Sequence, residues 1–130
     1  MAVECKYQVG NDDYATPNWL KDGLFRGWFD PCPLSEGQTW EDGLALDWGD
    51  KTFVNPPYSN PLPWVEKAIS ENKKGVTVAL LLKHDSSTRL FRLLHEAGAH
   101  FLMPSGRLCF SGKKAAPFAS VIAVLYGEGV

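Results

Sequence analysis

Runs of apolar residues along this chain switch between helical and extended spacing, and the switches divide it into short elements. Thr16-Pro17 precedes Asn-Trp-Leu-Lys-Asp-Gly-Leu-Phe, a short helix entered through the fixed φ of Pro17. Gly27-Trp28-Phe29 forms a brief apolar strand that ends at Asp30-Pro31-Cys32-Pro33. The Gly- and acid-rich stretch 35–50 keeps no period and predicts mostly loop. Phe53 and Val54 make the next strand. Pro63 then opens a helix with Trp64, Val65, Ala68 and Ile69 at helical spacing, and Gly75 closes it. Residues 76–82 are apolar or β-branched without interruption, as in a strand covered on both faces. A helix over 88–97 follows, capped by Ser86 or Ser87, with Leu90, Phe91, Leu94 and Ala97 facing inward and Gly98 stopping it. Strands near 100–103 and 119–125 close the chain, and 107–110 pairs in a hairpin.

Strands alternating with helices predict an α/β fold: a three-layer, mostly parallel sheet with an antiparallel edge and helices on both faces. No repeat, low-complexity tract or linker interrupts residues 1–130, so a single domain is expected. At 130 residues and 45% hydrophobic, the chain is long and apolar enough for one buried core. No apolar run approaches the ~20 residues of a membrane helix, and the first residues lack a secretory pattern. Cys5, Cys32 and Cys109 are widely spaced and odd in number, which favours a reducing compartment over disulfides or a zinc site. A formal charge of −2 means that any nucleic-acid contact must come from local basic patches.

Chemistry concentrates where strands end. In α/β sheets ligands bind beyond the carboxyl ends of the strands. Three such ends carry suggestive residues: Asp30-Pro31-Cys32-Pro33, Asn55-Pro56-Pro57-Tyr58 and Lys83-His84-Asp85-Ser86-Ser87. The second is the most informative. Pro56 and Pro57 have fixed φ and no N–H, so the loop is rigid and offers carbonyl oxygens without competing donors. Asn55 adds an acceptor oxygen and Tyr58 a flat aromatic face. Such a corner suits a planar ring bearing an amino group: adenine, cytosine and a carboxamide all qualify.

In order along the chain stand Tyr14-Ala-Thr16-Pro17, Phe29-Asp30-Pro31-Cys32, Asp42-Gly43-Leu44, Asp47-Trp48, Val54-Asn55-Pro56-Pro57-Tyr58-Ser59, Trp64-Val65-Glu66-Lys67-Ala68, Leu81-Leu82, Gly106-Arg107-Leu108 and Phe110. With these segments the chain resembles the phage-type DNA N6-adenine methyltransferases, over about residues 13–126. The resemblance implies a compact, shortened Rossmann-like methyltransferase sheet working in the cytoplasm of a bacterial host cell. It also implies S-adenosylmethionine as cofactor, no metal, and DNA as the partner whose adenine N6 is methylated. Thr16 and Pro17 look like the segment that meets the methionine end of the cofactor. Asp30 corresponds to an acid after the first strand that contacts the cofactor, with Pro31 and Cys32 shaping its loop. Asp47 is similar in position to an acid that accepts from the cofactor's adenine amine. Residues 31–54 are a short interval for this class, and no Gly-x-Gly follows Phe29.

The same resemblance makes Asn55, Pro56, Pro57 and Tyr58 catalytic. Asn55 and the Pro56 carbonyl would accept from the target amine, and Tyr58 would stack on a base that is flipped out or single-stranded. Lys83, His84, Ser86 and Arg89, with Arg107, Lys113 and Lys114, are the candidate nucleic-acid contacts. Solvated surface is the bland alternative for the charges, and a structural hydrogen bond for His84. With no separate target-recognition domain, sequence selectivity is expected to be low or to come from a homodimer or an additional subunit. Three other readings stay open at this point: a methyltransferase for an RNA base or protein glutamine, a catalytically reduced cofactor- or nucleic-acid-binding module, and, last, a plain structural domain that would have to dismiss the ordered match.

Overall fold

The longest apolar runs become the centre of a four-stranded sheet in the computed structural model, which describes residues 16–17, 19–32, 40–57, 60–85, 88–104 and 119–128. A six-residue π-helical turn, Trp19–Leu24, comes first and is closed by the Phe25 N–H donating to the Leu20 carbonyl at 2.8 Å. After it come α1 (Trp40–Ala45), β1 (Lys51–Val54), α2 (Leu62–Lys73), β2 (Thr77–Lys83), α3 (Arg89–Glu96), β3 (His100–Leu102) and β4 (Ser120–Leu125). The strand order is β1-β2-β4-β3.

β1 pairs with β2 in parallel, whereas β4 is antiparallel to both of its neighbours. Among the described residues, one pairing of the three between named strands is therefore parallel, and the reversed strand is interior. This corrects the expectation of a mostly parallel sheet with an antiparallel edge. The physical reason lies in the two closing strands. β4 reads Ser-Val-Ile-Ala-Val-Leu and is buried at every position, so it needs a strand on each side. β3 is three residues long and only its central Phe101 is half-buried, which suits an edge. Beyond β1, Phe29 contributes a single parallel bridge to Thr52 rather than a full strand.

Alternation along β2 and β4 assigns the two faces. Val78, Leu80, Leu82, Val121, Ala123 and Leu125 join Trp64, Val65 and Ala68 of α2 and Phe91 and Leu94 of α3 in one core cluster. Ala79, Leu81, Ile122 and Val124 pack on the other face with Phe53, Leu20 and Phe25. Among the described residues, the second face is thus covered by the π-helical turn and its flank, while the longer helices share the first. Each fully buried Leu or Val contributes roughly 1.5–3 kcal/mol, so the sheet core dominates stability.

Local signals fix the element ends. α2 starts on Pro61 with Pro63 in its first turn and stops at Gly75, whose φ of 103° is open to glycine at little cost. The cap position of α3 is Thr88; Ser86 and Ser87 lie outside the described residues, as does the 107–110 hairpin. Inside the stretch expected to be mostly loop, Trp40–Ala45 forms a helical turn and a half. No helix among the described residues is long and apolar enough to cross a membrane.

Candidate active site

Phe29, β1 and β2 run side by side in one direction, so the residues after each of them emerge at one edge of the sheet. That edge carries Asp30, Asn55 and Lys83, the first residues of two predicted site segments and the last residue of β2. Asn55 is half-buried, with Pro56 and Pro57 buried behind it. Its Nδ2 donates to Thr16 Oγ1 at 3.2 Å across 39 positions of sequence. The bond turns the amide so that its oxygen, which is itself buried, lies away from Thr16. Pro17, next to Thr16, is also buried. Two segments that the sequence offered separately are thereby joined in space.

Asp30 closes a turn on itself: its Oδ1 accepts from the Cys32 N–H at 3.0 Å, the geometry that makes Asp a frequent turn opener. Pro31 and Cys32 are buried beneath it. Burial raises the Asp30 carboxyl above its ordinary value, and the Cys32 N–H and the charge of Lys21 only partly oppose that. A cleft of about 170 Å³ opens beside it, walled by Phe25, Trp28 and Phe53 with Lys21 and Arg26 at its rim. A carboxylate raised in this way is strained when ionised. Asp30→Asn is therefore expected to raise the thermal midpoint at neutral pH, since Asn keeps the acceptor for Cys32 and loses the buried charge. The sign follows from the raised value: the ionisation cost is absent below the ordinary 3.8 and sets in fully above the folded-state value. Wild type and variant should converge in acid unfolding curves and diverge above it.

Lys83 ends β2 exposed, and with Pro61, Leu82, Asp85, Thr88 and Leu90 it lines a second cleft of about 230 Å³ between the starts of α2 and α3. Thr88 Oγ1 donates to the Asp85 carbonyl at 2.8 Å. His84 is exposed, donates its backbone N–H to the Ala119 carbonyl at 2.8 Å, and places its ring 6.0 Å from that of Phe91. Arg89 stands exposed at the start of α3. Tyr58, Ser86, Arg107, Lys113 and Lys114 lie outside the described residues. Among the described residues no group of three or more His, Cys, Asp or Glu could hold a metal ion.

Asp47 is not brought to this edge. It precedes β1, its side chain is 94% exposed, and Oδ1 faces Lys74 Nζ at 3.6 Å beyond the far end of α2. β1 separates it from Asn55. Sequence reasoning also assigned no role to Lys21, Gly43 or Glu71, although Gly43 stands in one of the segments that carry the resemblance. The Glu had a legible signal: it extends the buried spacing of Trp64 and Ala68 on α2 and is flanked by Lys67 and Lys74.

A family model described as DNA N-6-adenine-methyltransferase (Dam) matches residues 37–123, most of the chain. The chain belongs to this family. The matched span includes Gly43 and the Asn55–Tyr58 loop and begins after Thr16 and Asp30. A DNA N-6-adenine-methyltransferase of Haemophilus phage HP1 (strain HP1c1) is 47% identical over 53 residues, covering 39% of this chain and 31% of the phage protein. The match thus spans about a third of that relative's length. No solved structure matches the chain.

Proposed function

We propose that this protein methylates the N6 amine of adenine in DNA from S-adenosylmethionine, acting on a base that is flipped out or single-stranded. The carrying observation is the Asn55–Thr16 hydrogen bond at the carboxyl end of β1, which ties the acceptor-rich loop to the segment read as cofactor-binding. The chemistry of the edge fits that cofactor. Asp30 and the carbonyls of the proline loop complement cationic and hydroxyl groups, and buried Pro17, Pro31 and Cys32 supply an apolar backing. When bound, S-adenosylmethionine supplies an electrophilic methyl group on a sulfonium sulfur.

This chain's own residues do the rest by positioning. The exocyclic amine of adenine is a weak nucleophile because its lone pair is delocalised into the ring. Asn55 Oδ1 and the Pro56 carbonyl accept its two N–H groups, which favours a pyramidal nitrogen with a localised lone pair. Pro56 and Pro57 hold both acceptors in place, so little reorganisation is needed at the moment of attack. Tyr58 stacks on the base. Lys83, His84 and Arg89, with Ser86, Arg107, Lys113 and Lys114, contact the phosphates, and a second copy or another subunit contributes sequence selectivity.

Calorimetric titration with S-adenosylmethionine, followed by tritium transfer into DNA, RNA and protein, tests the reading. Micromolar cofactor binding and label on adenine N6 of DNA are expected. Absence of binding at millimolar cofactor, with or without DNA, overturns it. Label confined to RNA or to glutamine reassigns the substrate.

A further inference from the structure

The interval between Asp30 and β1 is short, yet the Asp30–Cys32 turn is buried against a continuous chain of contacts that begins on α2. Glu71 is 1% exposed and its Oε1 accepts from the Trp48 N–H at 2.7 Å. Lys74 at 2.8 Å and Lys67 at 3.4 Å hold Oε2. Trp48 lies near-parallel to Trp64 of α2, ring centroids 6.3 Å apart, and its Nε1–H donates to the Gly43 carbonyl at 2.9 Å. Gly43 closes the chain. A Cβ added there would collide with the Pro31 carbonyl oxygen and come within 2.8 Å of the Trp64 ring. Glycine inside a helix costs about 1 kcal/mol relative to alanine, so its presence in α1 marks a close backbone approach.

We infer that Glu71, Trp48 and Gly43 form a strut that positions the Asp30–Cys32 turn to receive the cofactor, an inference that rests on the proposed cofactor role of that turn. None of the three reaches the edge itself. Each acts through the next: the carboxylate fixes the Trp48 backbone, the indole fixes α1, and α1 backs Pro31. Errors of an ångström at a binding turn are costly in enzymes that work by positioning. The interval between the turn and β1 is short, and α1 and Trp48 within it carry the contacts that reach back to α2.

Trp48→Phe in the full protein is the decisive variant, because it keeps an aromatic ring beside Trp64 while removing the N–H to Gly43 together with one ring's volume. Two readouts are paired. Hydrogen exchange of the Cys32 amide, which is bonded to Asp30, reports the turn without any cofactor. Steady-state methylation reports the KM for cofactor, the KM for DNA and kcat. Loss of one hydrogen bond corresponds to about fivefold, so the expected result is about fivefold faster Cys32 exchange and an equal rise in cofactor KM. DNA KM and kcat should not move. Gly43→Ala should shift the same two quantities in the same direction and further, if it folds. Unchanged Cys32 exchange in Trp48→Phe overturns the strut, as does faster exchange with cofactor KM unmoved. A proportional fall of kcat alone overturns it too, since that reports fewer folded molecules. If the wild type binds no cofactor, the proposed function fails, and the exchange data still decide whether the brace exists.

Discussion

Asn55→Ala is expected to lower the rate of methyl transfer by about 10²–10³-fold while cofactor affinity changes by no more than about fivefold. The two magnitudes have different origins. Deleting the side chain removes an acceptor aimed at charge that develops only as the amine attacks, and such groups act in the transition state rather than on binding. It also removes the bond to Thr16 Oγ1, a change on the scale of one hydrogen bond for the segment read as cofactor-binding. Asn55→Asp separates the effects. A carboxylate accepts from the target amine and can accept from the Thr16 hydroxyl, so this variant should keep much of the activity that alanine loses. Single-turnover rates at saturating cofactor, with dissociation constants from calorimetry, measure both. Near-normal turnover in Asn55→Ala would reject the acceptor mechanism outright.

How much of this was legible beforehand differs by element. β2 and α2 were readable because their patterns are local: an unbroken apolar run and a helical spacing closed by Gly75. The position of β4 was not, because strand order depends on which edges remain for a strand to pair with. Its unbroken apolar run from Val121 to Leu125 did carry the clue that it would lie inside the sheet. α1 was missed because six residues containing a glycine have no helical preference of their own; packing against Pro31 and Trp64 supplies it. At the site, Asp30 and Asn55 could be placed together from topology alone, since both follow parallel sheet positions. Thr16 could not. Its bond to Asn55 spans 39 positions, and no periodicity reports a contact of that range. Asp47 lies at the other end of β1, exposed beside Lys74.

Glu71→Ala is expected to cost about 3 kcal/mol of stability, a large share of the roughly 5–15 kcal/mol that a domain possesses. The loss has two parts. The buried Trp48 N–H would be left without its acceptor, and the charges of Lys67 and Lys74 would lose the carboxylate that gathers them. Glu71→Gln keeps an oxygen for Trp48 and should retain about half of the lost stability. The pH dependence identifies the electrostatic part. Burial pushes the Glu71 carboxyl upward, but hydrogen bonds from Lys74 and the Trp48 N–H, with the charge of Lys67, outweigh it and leave it below the ordinary 4.5. A depressed carboxylate contributes stability that is present above its unfolded value and disappears as pH falls through the folded one. The gap between wild type and Glu71→Gln in urea unfolding should thus be widest at neutral pH and narrow below about 4.5. Asp30 shifts the opposite way, so acid relieves a cost at the ligand edge while it removes support from the brace behind it. A gap that stays constant from neutral pH into acid would mean that Glu71 acts through packing and the Trp48 bond alone.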